Sequence, residues 1–147
     1  MSDILKLIEE DHKKTMKGIE ELEETKGKET AARKKTWTML ERDLLAHMKG
    51  EEEILYPGLQ GDIEDKILEA IEEHQLVKMA SSVLNETSAD DKRWLAKLKV
   101  IKENIEHHVE EEEDEIFDAA KEKFSKDKLD EMGKRFEEVK KKMHAGK

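Results

Sequence analysis

Apolar residues recur every three or four positions through most of the chain, which is the spacing of one face of an α-helix. The first segment, between Ser2 and Lys26, shows this rhythm in Ile4, Leu5, Ile8, Met16, Ile19 and Leu22. It returns in three later segments, through Trp37, Leu40, Leu44, Ile54 and Leu55, through Ile63, Ile67, Ile71, Val77 and Leu84, and through Leu95, Leu98, Ile101, Ile105 and Ile116. The other faces carry Glu and Lys, as solvated helix surfaces do. The pattern predicts four amphipathic helices and no strand.

Residues that stop or start helices divide these segments. The stretch Lys26 to Lys28 contains a glycine and is expected to end the first helix, and Tyr56-Pro57-Gly58 is expected to end the second, because proline cannot continue a helix. Asp62 and Ser88 are candidate N-caps for the third and fourth helices. Four helices with short connections predict an all-α, up-down-up-down four-helix bundle over about residues 3–122.

The C-terminal segment has a weaker apolar pattern than the rest of the chain. From Ser125 to about His144 it is expected to form a short helix that packs outside the bundle, or a frayed tail. We take it as an extension over about residues 125–147 of one domain, because a chain of 147 residues leaves little room for a second.

The composition excludes several classes of protein. Charged residues make up 45% of the chain and the net charge is −10. This would suit disorder, but the helical periodicity argues against it. The acidity disfavours nucleic-acid binding, and no apolar run approaches the ~18 residues of a membrane span. There is no cysteine, and Met1 to Glu10 shows no signal-peptide pattern. We expect a cytoplasmic protein with no nucleic-acid or membrane partner.

The histidines show that the chain contains an approximate two-fold repeat. His12 and His47 are 35 residues apart, and His74 and His108 are 34 apart. Both His47 and His108 open the pattern His-x-x-x-Glu-Glu-acid-x-apolar-aromatic. Each predicted hairpin therefore carries one histidine followed by one His-x-x-x-Glu motif, with a repeat of about 61 or 62 residues. A repeat on this scale means more than any single motif.

The helical spacing directs these residues towards the interior. Each lies three or four positions from an apolar residue of its own helix, and the spacing of His47 and Glu51 lets both approach one ion. The six inward residues are His12, His47, Glu51, His74, His108 and Glu112. Buried groups of this kind cost several kcal/mol unless they are paired or bound to metal. Histidine and carboxylate ligands suit iron, manganese or zinc, and bundles build binuclear centres from such side chains.

The sequence resembles the haemerythrin family, specifically the bacterial haemerythrin-like domains called HHE cation-binding domains. The resemblance rests on Asp11-His12, the run His47 to Pro57, Glu73-His74 and the run His108 to Phe117. It implies a non-haem di-iron centre with His12, His47, His74 and His108 as terminal ligands. Glu51 and Glu112 would bridge the two iron ions, together with an oxo or hydroxo bridge and an O2-derived ligand.

One position departs from the family pattern. Oxygen-carrying haemerythrins of the best-known type have a further histidine one helical turn after the position of His74, and this chain has Lys78 there. One iron then lacks a protein ligand and holds water or another donor. Reversible O2 carriage, sensing, iron handling and peroxide chemistry all stay open on this pattern.

Three functional hypotheses follow. The first is a haemerythrin-like protein that binds O2, or another small ligand such as NO or peroxide, rather than an enzyme. The second is a di-iron oxidase or peroxidase of the ferritin or rubrerythrin kind, which requires two Glu-x-x-His motifs. Only Glu9 with His12 forms one, so the sequence argues against it. The third is a structural acidic bundle that binds a protein partner through its flank.

Other candidate residues have simpler interpretations. We expect His107 on the surface or beside a ligand, and His144 in solvent. Tyr56 suits either a core cap or a group in the pocket. In the acidic run Glu110 to Glu115, only Glu112 is expected to face inward. Apolar residues expected in the core, where they could line a gas pocket, are Trp37, Trp94, Met39, Met79 and Phe117.

Overall fold

Helices account for the secondary structure of this computed structural model, which describes residues 2–145. The five long helices are α1 (Ile4–Glu23), α2 (Thr30–Gly50), α4 (Glu64–Glu86), α5 (Trp94–Glu111) and α7 (Lys126–Ala145). Shorter pieces are the π-helical turns π1 (Glu51–Leu55) and π2 (Glu112–Ile116) and the helices α3 (Tyr56–Leu59) and α6 (Phe117–Lys123). The prediction of an all-helical bundle without strands is confirmed for this part of the chain. Residues 1, 146 and 147 of the predicted domain lie outside it.

The bundle is held by contacts between neighbouring helices. Helix α1 contacts α2, α5 and α7, while α4 contacts α5 and, less extensively, α2. Two apolar clusters fill the interior, one around Ile8, Leu55 and Phe136 and the other around Trp37 and Leu98. The inward histidine lies between residues of these two clusters along α1 and α4, and along α2 and α5 with their continuations π1 and π2. A layer of polar side chains therefore separates two apolar cores.

The second helix does not end where the sequence predicts. After Gly50 the backbone widens into π1, where the Tyr56 N–H donates to the Glu51 carbonyl five residues earlier, and it then resumes α-helical bonding as far as Leu59. Pro57 lies in the first turn of this new α-helical segment, where a residue without an N–H donor is tolerated. The helical run therefore ends at Leu59, one residue beyond the predicted stop at Tyr56-Pro57-Gly58, and Pro57 itself does not interrupt it.

Neither predicted N-cap is used. Helix α4 begins at Glu64 without a side-chain cap, and Asp62 instead forms an ion pair of 2.6 Å with Lys123. Ser88 donates its hydroxyl to Asp90 in a turn, and α5 begins only at Trp94. A cap that the sequence analysis did not name is Asp3, whose carboxylate accepts the backbone N–H of Lys6 at 2.8 Å. Caps depend on local loop geometry, which the periodicity does not determine.

The C-terminal segment is a full helix rather than a short helix or a frayed tail. It is 20 residues long, contacts α1 and α2, and buries Leu129, Met132 and Phe136. Close approach requires a small residue opposite, and Gly50 provides it, because a Cβ there would lie 2.6 Å from the Phe136 ring. Helix α7 is thus an integral fifth element.

Among the described residues, none of the helices combines the length and the hydropathy needed to cross a membrane.

Replacing Phe136 by alanine should destabilise the protein by about 3–5 kcal/mol, because it removes a fully buried aromatic ring and leaves a cavity beside Gly50. Urea denaturation of the metal-free protein measures the change. The control is Glu138→Ala, which alters an exposed position of the same helix. Equal stability of the two variants would mean that α7 is not part of the cooperative core.

Candidate metal centre

Six side chains from four helical segments converge in the polar layer. They are the six residues that the sequence directs inward, and none is more than 7% exposed: His12, His47, Glu51, His74, His108 and Glu112. Each histidine turns its Nε2 atom towards a glutamate oxygen. The distance is 3.0 Å from His12 to Glu112 and 3.0 Å from His74 to Glu51. The convergence expected from the helical spacing is therefore present.

The donor atoms form two groups. The first group contains His12, His47, Glu51 and Glu112, and the second group contains Glu51, His74 and His108, with donor atoms in each group within 4.8 Å of one another. Glu51 belongs to both groups, with Oε2 lying 3.3 Å from His47 and Oε1 lying 3.0 Å from His74.

Glu112 is arranged in the same way. Its Oε1 lies 3.0 Å from His12 in the first group, and its Oε2 lies 3.6 Å from His108 in the second. Each glutamate thus presents one carboxylate oxygen to each group, which is the arrangement of a ligand that bridges two ions.

The two π-helical turns position these glutamates. Glu51 is the first residue of π1 and Glu112 is the first residue of π2, and each accepts an i+5 backbone hydrogen bond through its carbonyl. Such π-helical turns are rare and are frequent at functional sites. Periodicity at 3.6 residues per turn does not reveal them, so the sequence analysis missed both.

Four further carboxylates, here called the outer carboxylates, hold the histidine rings from outside. Each accepts a hydrogen bond from a histidine Nδ1: Asp11 from His47 at 2.9 Å, Glu52 from His74 at 2.6 Å, Glu73 from His108 at 2.7 Å, and Glu113 from His12 at 2.7 Å. A carboxylate on Nδ1 fixes the ring orientation and leaves Nε2 free for a metal ion.

The sequence analysis missed the outer carboxylates. Glu113 was expected on a solvated face, and this is wrong because it reaches His12. A signal was available in the repeat: an acid precedes His12 and His74, and another follows Glu51 and Glu112. Each acid, however, accepts a hydrogen bond from a histidine of a different helix, and only the tertiary structure shows which acid pairs with which histidine.

Four atoms in the polar layer have no hydrogen-bond partner among the described residues. They are Nε2 of His12, Nε2 of His47, Oε2 of Glu51 and Oε1 of Glu112, which are the donor atoms of the first group. Buried polar atoms are rarely left unpaired, because each costs about 1–3 kcal/mol. A cation between them would satisfy all four, so the residues present fit a bound metal.

The ionisation of the metal-free cluster reflects its burial and its charges. Burial disfavours the charged ring of His47, but the charge of Glu51 and the hydrogen bond to Asp11 outweigh it and raise the pKa of His47 to about 10. The pKa of His108 is raised well above its usual value by the same balance of burial against carboxylate partners. Burial raises the pKa of Glu51, but the charge of His47 together with hydrogen bonds involving Glu112, His108 and His47 lowers this pKa well below its usual value. A metal ion must displace protons from these rings, so metal binding releases protons.

The two groups have different neighbours. Beside the first group, Phe136 of α7 packs edge-on against the His47 ring with centroids 5.8 Å apart, and Lys140 forms an ion pair of 2.7 Å with Asp11. Beside the second group, the Tyr56 hydroxyl donates a hydrogen bond to Glu112. Tyr56 is therefore a site residue, which resolves the choice that the sequence left open.

A small cavity of about 20 Å³ adjoins both groups. Its apolar lining includes Leu44, Val77 and Ile105. This volume accommodates about one water-sized molecule. A larger cavity of about 190 Å³ between α1, α2 and α7 shares Thr15 and His47 with it.

The remaining candidates lie elsewhere. His107 is mostly exposed, as expected, and lies 3.0 Å from Glu111. His144 was expected in solvent but is only partly exposed and lies 3.3 Å from Asp43. Lys78 lines a separate groove with Glu52 rather than the site.

Of the apolar residues expected in the core, Trp37, Trp94 and Phe117 are buried. Met39 and Met79 are 50% and 66% exposed, which corrects that expectation. None of the five lines the small cavity.

Comparison with known proteins identifies the class to which this site belongs. The family model described as "Hemerythrin HHE cation binding domain" matches residues 3–120. The chain therefore belongs to that family, and the resemblance seen in its motifs is confirmed. This class of domain binds metal cations, in agreement with the buried His/Glu groups. A comparison with curated proteins found no match.

The fold is also similar to a solved structure. A crystal structure of a hemerythrin HHE cation-binding domain-containing protein from Mycobacterium kansasii superposes with a TM-score of 0.88 at 22% identity. The match covers 99% of this chain and 90% of the other. At this identity the similarity establishes the fold alone.

Replacing Glu113 by alanine should weaken metal binding by about 10–100-fold, because His12 loses the carboxylate that orients its ring. Titration against a chromogenic chelator measures the affinity. Glu110→Ala is the matched control, since it removes an exposed acid from the preceding turn. An affinity of Glu113→Ala equal to that of the control would contradict the role of the outer carboxylates.

Proposed function

We propose that this chain is a non-haem di-iron protein that binds O2, or a similar small ligand such as NO or peroxide, inside the bundle. In this proposal His12, His47, His74 and His108 are terminal ligands, and Glu51 and Glu112 bridge the ions. The observation that supports it best is that each glutamate directs one oxygen to each histidine pair.

The donor set favours iron on chemical grounds. Imidazole nitrogen with carboxylate oxygen suits iron, manganese and zinc, and a pair of bridging carboxylates suits a binuclear centre. The outer carboxylates add negative charge behind the histidines and raise their basicity, which favours a highly charged ion. Bound iron would supply a position at which a small molecule binds and is reduced.

The chain itself provides a dry compartment of suitable size. The cavity of about 20 Å³ borders the four inward histidines and Glu51, and the rest of its lining is mainly apolar side chains such as Val77. Such a space admits a diatomic molecule but not a larger substrate. Thr15 and His47 lie between it and the larger cavity of about 190 Å³, which supports an entry route from that side. We therefore propose small-ligand binding, used in oxygen binding, sensing or iron handling.

We also propose the up-down-up-down topology for α1, α2, α4 and α5. The contacts of α1 with α2 and of α4 with α5 support it, because consecutive helices joined by short connections pack side by side. A site at one depth along the bundle supports it further. Helices α1 and α4 each contribute one histidine, and α2 and α5 each contribute one histidine followed by the glutamate of the adjoining π-helical turn.

His47→Ala and Glu112→Ala should each lower the iron content below that of the unmodified protein and lower the thermal midpoint of the iron-loaded form. The reason is that each removes a ligand and metal binding is coupled to folding. Metal analysis after anaerobic loading with ferrous iron gives the count, and calorimetry gives the midpoint. The control is Glu110→Ala, which removes an exposed acidic side chain two residues before Glu112.

Unchanged iron stoichiometry in both ligand variants would refute the ligand assignment. A purified protein that takes up no metal under these conditions would favour the structural acidic bundle instead.

Exposure of the ferrous-loaded protein to O2 should produce a new absorption band that disappears under vacuum, because a dry pocket limits the access of the water and protons that make oxidation of the iron irreversible. The measurement is an anaerobic spectrum before and after O2, followed by evacuation. A spectrum that changes once and is not restored by vacuum would contradict reversible carriage and favour oxidase or peroxide chemistry.

A further inference from the structure

Tyr56 is buried at the centre of the site and is the only tyrosine in the chain. It follows π1 directly, so the widened backbone that positions Glu51 also places the phenol ring inside the polar layer. Its hydroxyl oxygen lies 3.4 Å from Oε1 of Glu51 and 3.5 Å from Nε2 of both His74 and His108.

These distances are those of donors around a common ion. Two donors that bind one ion at right angles, each about 2.1 Å from it, lie about 3 Å apart. Within the second group, His74 Nε2 lies 3.2 Å from His108 Nε2 and 3.0 Å from Glu51 Oε1, while His108 Nε2 lies 3.9 Å from the same oxygen. The phenol oxygen of Tyr56 falls within this range for all three.

The repeat supplies this oxygen only once. Tyr56 follows π1 as Phe117 follows π2, and phenylalanine has no oxygen to offer. The second group contains His74, and one helical turn after it Lys78 replaces the histidine of the best-known family pattern and lines a groove outside the site. The hydroxyl is therefore present where a protein donor is lacking.

We propose that the phenol oxygen of Tyr56 is a ligand of the ion held by Glu51, His74 and His108. This inference rests on the proposed function, since it needs an ion in the second group. When the oxygen–metal bond forms, the O–H bond that now donates to Glu112 breaks, and the proton is released to solvent without electron transfer.

The two ion positions then differ in chemistry. With Glu112, the second group offers five protein donors, whereas the first offers four. An anionic oxygen donor favours the ferric state, so the second ion is held more firmly in that state. A small external ligand would then bind at the first group, which has fewer protein donors. His47 of that group borders both cavities.

The test uses the iron-loaded protein after oxidation in air. A phenolate bound to ferric iron gives a visible charge-transfer band and resonance-enhanced ring vibrations. Because the chain has one tyrosine, both signals have a single source. We expect them in the unmodified protein, and we expect ring-deuterated tyrosine to shift the vibrations. Tyr56→Phe should abolish both signals while iron stays bound, and the zinc-loaded protein is the colourless control.

Two bound iron ions without these signals would overturn the inference and leave the proposed di-iron function standing. Retention of the band in Tyr56→Phe would overturn it as well. Absence of bound iron would overturn both. The isotope shift is measured on the unmodified sequence, so the outcome does not depend on whether the variant folds.

Discussion

The structure depends on one constraint: a dry layer of nitrogen and oxygen donors must be satisfied between two apolar cores. Nε2 of His12 and Oε1 of Glu112 lie 3.0 Å apart without a hydrogen bond. The cavity beside them has room for about one water molecule. Unpaired buried groups are costly, and a cation removes the cost by binding all of them together. A bound metal ion would thus be part of the packing of the bundle, because it would pair the buried donor atoms that the protein leaves without partners.

The outer carboxylates tie this layer to the rest of the molecule. Asp11 lies on α1 but orients His47 of α2, and Glu113 of π2 orients His12 of α1. Each ring is therefore oriented by an element other than its own, so the site forms only when the helices are assembled. On one side Asp11 is held in turn by Lys140 of α7, which has no counterpart at the second group among the described residues. The pseudo-two-fold repeat is thereby broken beside the first group.

Much of the fold and the inward residues could be predicted because both follow from helical periodicity. A histidine three or four positions from apolar residues must face the core, which brought His12 and His74 into the prediction without any contact information. The features that were missed have no such periodic signal. Glu113 is one acid in an acidic run, and Pro57 reads as a stop unless π1 has already broken the α-helical register. The C-terminal helix was underestimated because its buried face consists of few residues, such as Phe136.

Taken alone, the sequence determined the helical class, the repeat and the six donors that face inward, because these depend on spacing within single helices. The tertiary structure decided which atoms meet. It directs the two oxygens of Glu51 to different groups, supplies each histidine with an acid from another element, and places the Tyr56 hydroxyl beside only one pair of rings. The physical reason is that contacts across helices depend on rotation, depth and local widening of the backbone, none of which a one-dimensional pattern contains.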